Sequence, residues 1–151
     1  MTTNELDVMD RLVEVIQTHL NEYLPEGYSI VPGQVILDFP DVDKMPYNVS
    51  IYVQPEYSEN EPLTDCSDEV AFRLVVFVLC KRDTQSNLTR KYFTYYNSIY
   101  HLLRNNTTLD ELIPRTDVIS TDFYPDIEGN PNVRGSKITV ATIFEKDFKG
   151  E

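Results

Sequence analysis

The residues of this 151-residue chain whose types could do chemistry are two histidines, two cysteines and a group of three aspartates. A histidine works as a base only when a reacting group and an orienting partner are held against it. Neither His19 nor His101 has a carboxylate or nucleophile at a motif spacing. Cys66 and Cys80 stand fourteen positions apart with no C-x-x-C pair, so they read as reduced thiols. Asp38, Asp41 and Asp43 in "DFPDVD" gather hard oxygen donors, but without the spaced oxygens, central glycine and distal glutamate of a calcium loop. The five glycines are isolated at turns, so no loop can cradle a phosphate. No G-x-S-x-G or H-E-x-x-H pattern occurs. The expectation is a protein without catalytic residues, metal or cofactor.

Charge is the next signal. Residues 1–70 hold fifteen acids against two bases, Arg11 and Lys44, a net of −13. Residues 71–151 hold ten acids and eleven bases, a net of +1, with bases gathered as Lys81, Arg82, Arg90, Lys91 and Arg104. Such a chain has an acidic side and a mildly basic one, which suits a head-to-tail meeting of copies. Nucleic-acid binding needs a strong basic excess and is disfavoured by a net charge of −12.

Several elements must position these groups. Apolar residues at Leu6, Met9, Leu12, Val13, Ile16, Leu20, Tyr23 and Leu24 predict a first helix, capped at Thr3 or Asn4 and ended by "LPEGY". "YSIVPGQVILDF" (28–39) reads as strand, Pro-Gly turn and strand. "YNVSIYVQ" (47–54) alternates with period two, the mark of a half-buried strand. Residues 55–69, with two prolines and six acids, read as a long acidic loop, more often functional than idle. "VAFRLVVFVLCKR" (70–82) is apolar enough to be the central strand. A helix follows over 87–105, then a helical turn over 107–114. Strands over 117–127 and 136–148 flank a turn-rich loop at 128–135. The pattern is α+β: an antiparallel or mixed sheet with two main helices on one face, in a single domain over 1–151.

The second helix, "RKYFTYYNSIYHLL" at its centre, is rich in aromatic rings. Leu88, Tyr92, Tyr95, Ile99, Leu102 and Leu103 form its core stripe. Phe93, Tyr96 and Tyr100 extend the arc around one flank, and Arg90, Thr94, Asn97, His101 and Asn105 fill the polar back. One small sheet does not need so wide an apolar arc. The flank either lies against another part of the same chain or is a contact face for a second subunit. The candidate interface residues are therefore Phe93, Tyr96 and Tyr100, the bases Lys81, Arg82 and Arg90, and the acids Glu56, Glu59, Glu61 and Asp65.

Three stretches, "LVEVIQTHLNEYL" (12–24), "VAFRLVVFVLCKRDTQSNLTRKYFTYYNSIYHLL" (70–103) and "VISTDFYPDIEGNPNVRGSKITVATIFEKDF" (118–148), follow in an order that resembles the tail terminator (tail completion) proteins of long-tailed bacteriophages and related neck proteins. The resemblance is one of element order and texture. It implies a structural virion protein, built in the host cytoplasm, that forms a ring of six copies. That ring would cap the tail tube and join it to the head. The partners implied are the chain itself, the tube protein and the head–tail connector or neck proteins. DNA would pass through an acidic lumen without specific binding, and no membrane is involved. Two other classes remain beside it: a small enzyme or ligand-binding domain with a polar pocket, and an acidic module that binds one basic protein, such as a DNA mimic or an inhibitor.

Overall fold

The computed structural model describes residues 3–147, so the ends of the 1–151 unit and the last residue of the strand expected over 136–148 lie outside the described residues. Five strands form one mixed sheet in the order β1-β2-β3-β5-β4, with two long helices, and the α+β class expected of the chain is the class observed.

Helix α1 (Glu5–His19) starts in a capping box: the Asn4 side chain accepts from the Asp7 amide at 3.0 Å, and the Asp7 carboxylate accepts from the Asn4 amide at 3.0 Å. Its core stripe is Val8, Leu12, Val15 and Ile16, continued by Leu20. The expected stripe was rotated from this. Leu6 is 55 % exposed, and Met9 and Val13 are only partly buried. The α-helix also ends before "LPEGY", passing at Leu20 into a short 3₁₀ turn over Leu20–Glu22.

The segment over 28–39 is not two strands about a turn. Pro32–Gln34 form a 3₁₀ turn, and strand β1 is only Val35–Leu37, parallel to the next strand. The Asn21 side chain satisfies both backbone groups of Ile30, at 2.8 and 3.0 Å, so this segment needs no strand partner there.

Strands β2 (Val49–Thr64) and β3 (Ser67–Lys81) make one long antiparallel hairpin whose turn is Asp65 and Cys66. This corrects the acidic loop expected over 55–69. Past Val53, β2 has a ladder partner on one side only, because β1 stops there. Prolines and carboxylates suit such a free edge, where they discourage pairing with a stray strand. The start of β2 also differs from expectation. Ser50 and Tyr52 are buried along with Val49, Ile51 and Val53, because residues 42–45 fold over the other face of the sheet.

Helix α2 (Gln85–Asn105), capped by Thr84, runs back over β3, β4 and β5, while α1 covers β1 and β2. Leu88, Tyr92, Tyr95, Ile99, Leu102 and Leu103 are all buried, as the helical period predicts. The expected helical turn over 107–114 takes the opposite hand: Leu109, Asp110 and Glu111 have φ of 48°, 55° and 68°. Left-handed backbone costs a non-glycine residue free energy. Here it is offset by burial of Leu109 and by tertiary hydrogen bonds. The Arg11 guanidinium donates to the carbonyls of Leu109 (3.2 Å) and Asp110 (3.1 Å), and the Asn106 side chain pairs with Asp110.

Strand β4 (Arg115–Tyr124) is the second edge, hydrogen-bonded to β5 (Val133–Asp147), which pairs in turn with β3. The bulge at Ile119 shifts the β4 register between Val118 and Ser120. At Gly135 a Cβ would stand 2.2 Å from the Val78 carbonyl oxygen, so only glycine lets β5 approach β3 this closely.

Candidate interaction surface

The aromatic flank of α2 meets β4. Phe93 and Phe123 stack with ring centroids 4.6 Å apart, Tyr96 meets Phe123 edge-on at 5.2 Å, and Tyr92 stacks on Phe93 at 4.9 Å. Of the two places open to these rings, part of the flank therefore takes the first, against the same chain. It is not fully covered: Phe93 is 38 % and Phe123 40 % exposed, and Ile119 at the bulge of β4 is 46 % exposed. Tyr100 lies further along, near Tyr96 at 6.2 Å, with the Arg104 guanidinium 5.9 Å from its ring. Phe123 is the member that sequence reasoning missed. Val118 and Phe123 are five residues apart, a spacing that strict alternation puts on opposite faces. The bulge restores them to one face. The adjacent apolar pair Val118–Ile119 was the available signal.

The predicted bases separate into two kinds. The Lys81 ammonium donates to the carbonyls of Val42 (3.4 Å) and Met45 (3.2 Å), holding the 42–45 cover in place, so it is structural. Lys91 pairs with Asp83 at 2.7 Å. That ammonium, with the Asn87 side chain and the Thr84 amide, holds the Asp83 carboxyl well below its ordinary value, at about 2. Arg82 is exposed and, among the described residues, its guanidinium donates only to the Asn48 side chain, at 3.4 Å. Arg90 is exposed and has no carboxylate within ion-pair reach among the described residues. It borders an open groove of about 460 Å³ with Tyr28, Ser29, Asn87, Lys91 and Tyr95. Burial pushes the Tyr95 phenol up to about 12, and its hydroxyl donates to the Ser29 carbonyl at 3.2 Å.

The predicted acids lie on the hairpin. Glu56 is near Lys137 at 3.8 Å, so its charge is partly answered within the chain. Glu59, Glu61 and Asp65 are exposed and form no ion pair among the described residues. The outer half of the hairpin is tied to α1, where Glu5 accepts from Ser58 at 3.0 Å and from Lys146, which pairs with Asp68 on the ladder, at 2.8 Å.

The groups that could do chemistry are scattered. His19 meets Asp110 at 3.3 Å and Glu22 at 3.4 Å, so it has carboxylate partners that its sequence spacing did not show. The contact with Asp110 fastens α1 to the left-handed turn. His101 packs edge-on against Tyr100. Cys80 is fully buried and its thiol is pushed up to about 12 by that burial, whereas Cys66 is exposed at the hairpin turn. Among the described residues no three His, Cys, Asp or Glu side chains are grouped to hold a metal ion, the Asp38, Asp41 and Asp43 group included. No described helix is long and apolar enough to cross a membrane.

No protein-family model matches the chain, and no curated protein matches it by sequence. Among solved structures, the chain aligns with the sheath/tube terminator of an extracellular contractile injection system, PVC, in its extended state. The TM-score is 0.51 at 14 % identity, over 95 % of this chain and 58 % of the other. The fold resembles that of a sheath/tube terminator. At this identity the likeness is one of fold, and the chain spans 58 % of the terminator's length.

On this terminator-like fold the acidic turn and the exposed bases lie at opposite ends of β3. The turn at Asp65–Cys66 precedes Ser67, and Arg82 follows Lys81. Fifteen strand residues separate them by about 50 Å. The acids of the tip therefore cannot reach Arg82 or Arg90 of their own chain. What the arrangement can do is present unlike patches to different neighbours.

Proposed function

We propose that this chain is a structural tail terminator: a protein that closes the end of a tail-like tube, assembles with tube or sheath subunits in an oligomeric ring, and turns over no substrate. The observation that carries this reading is the fold likeness to a sheath/tube terminator over 95 % of the chain. The distance between the acidic hairpin tip and the exposed Arg82 and Arg90 at the far end of β3 supports it. A head-to-tail contact brings different patches together and closes into a ring when its rotation divides the circle.

The finer reading follows the sequence resemblance. The chain is a virion protein of a tailed bacteriophage, six copies cap the tail tube, and the ring joins that tube to the head–tail connector or neck. Genome passes through a lumen whose acidic character keeps phosphates from adhering. Imaging of native particles tests this. The expected result is density for a closed ring of this chain at a tube end. A particle in which the chain is absent from the tail, or binds as a single copy to one basic protein, overturns it.

A further inference from the structure

The exposed charge on this molecule is divided by element. Helix α2 carries no acid, and its bases are Arg90, Lys91 and Arg104. At its N-terminal end Lys91 is occupied by Asp83, and the Arg134 guanidinium donates to Thr89 at 2.8 Å. That leaves Arg90 beside the open groove, with Arg82 at the adjoining corner. Asp38, Asp41, Asp126 and Glu128 line hollows on the face of the sheet away from the helices, with Tyr52, Phe77 and Leu79, while the exposed Glu26 precedes Gly27 at the rim of the groove. On the helix side of this end Arg82 and Arg90 are exposed bases with no ion-pair partner among the described residues.

The hairpin tip is its counterpart. Glu59, Glu61, Asp65, Asp68 and Glu69 are gathered within the last few ladder pairs around the Asp65–Cys66 turn, and Glu145 and Asp147 of β5 pair alongside. The nearby described bases are engaged: Lys146 with Glu5, and Arg73 over the Tyr57 ring at 5.2 Å. Beyond Gln54, β2 extends roughly 30 Å to the turn, as a paired strand with a fixed direction.

We propose that the acidic tip of the β2–β3 hairpin of one copy seats in the groove beside Arg90 and Arg82 of the next copy. The occupant is a second copy of this chain because each copy carries both halves of a complementary pair that its own β3 holds apart. The contact uses a different surface on each partner, so it propagates in one direction. It rests on the ring reading above and names the contact that would close the ring. Charge sets its orientation and makes it salt-sensitive, while Tyr28 in the groove wall supplies apolar area.

Charge reversal tests this. The triple change Glu59→Lys, Glu61→Lys, Asp65→Lys and the double change Arg82→Glu, Arg90→Glu should each weaken self-association about tenfold or more in sedimentation at low salt. A chain carrying both sets should regain much of it. Circular dichroism on each variant checks that the fold is kept. A second measurement uses the natural protein. A photo-crosslinker on the exposed Cys66 should join one copy to residues 82–95 of another, with the peptide mapped by mass spectrometry. The proposal is overturned if either set leaves association unchanged, if the combined set is no better than the single ones, or if the crosslinks map elsewhere. Wild-type protein that stays monomeric into the millimolar range also overturns it. The two readings fail separately: a ring at a tube end with free hairpin tips removes this contact and leaves the terminator, while an absent ring removes the terminator.

Discussion

Phe93 of α2 and Phe123 of β4 stack at 4.6 Å with their planes 25° apart, and both keep more than a third of their surface open to solvent. The pair joins helix to edge strand, and it leaves an aromatic surface at the point where the sheet is unpaired. A double-mutant cycle with Phe93→Leu and Phe123→Leu should give a coupling of about 0.5–1.5 kcal/mol, the range for stacked rings. Additive effects of the two changes would mean that the rings do not support each other in solution.

Ile99 and Tyr100 are neighbours on α2 with different roles. Ile99 is fully buried beneath the helix, while Tyr100 lies on the flank beside Arg104. Ile99→Ala should cost roughly 2–4 kcal/mol of stability as a cavity mutation. Tyr100→Ala should leave the monomer nearly intact and weaken assembly. Equal unfolding midpoints for the two variants would contradict this division.

Gly135 faces the Val78 carbonyl across the β3–β5 ladder, with no room for a methyl group. Gly135→Ala forces one strand to move and should lower stability by about 1–3 kcal/mol or more, as overpacking does. Gly129, in the β4–β5 turn, has open space where a Cβ would stand, but φ of 78°. Gly129→Ala should therefore cost less, through backbone strain alone. The order of the two melting temperatures is the check.

Asp83 should leave a mark on acid stability. Its folded-state carboxyl titrates at about 2, below an ordinary 3.8, because Lys91 and the helix cap hold the charged form. A depressed carboxyl stabilises the fold above its unfolded value, and that contribution fades as pH falls through the folded one. Asp83→Asn should then lower the urea midpoint at neutral pH, and the gap from wild type should shrink between pH 4 and 2. A gap that stays constant through that interval would show that Asp83 acts by shape and not by charge.

The cysteines should differ by environment. Cys66 is exposed at the hairpin turn, and Cys80 is buried with its thiol pushed up to about 12. A thiol reagent should modify one cysteine per chain in native protein and both after unfolding. Rapid native modification of Cys80 would mean that β3 opens locally.

Much of this architecture is legible in the sequence because burial leaves a periodic mark. The 3.6-residue stripe from Leu88 to Leu103 predicted which face of α2 is buried, and the apolar run 70–82 placed β3 at the centre of the sheet. A cap at Thr3 or Asn4 was expected for α1, and Asn4 is the residue that caps it. The charge asymmetry was also plain, and with it the candidate surface residues Arg90, Glu59, Glu61 and Asp65.

Other features arise only from pairing across the fold. Residues 55–64 have the composition of a loop because prolines and carboxylates also mark an edge strand. Only the β3 template, fifteen residues long, makes them one. Lys81 looked like a free surface base until the 42–45 segment brought carbonyls to its ammonium. The hand of the turn at Leu109–Glu111 depends on Arg11, 98 residues away in the chain. The Ile119 bulge turned Phe123 toward α2. Sequence by itself determined which side chains seek the core and where charge is concentrated, since these follow from local residue types. Tertiary structure decided which backbone groups find partners and which charges remain unanswered, since both depend on contacts between segments far apart in the chain.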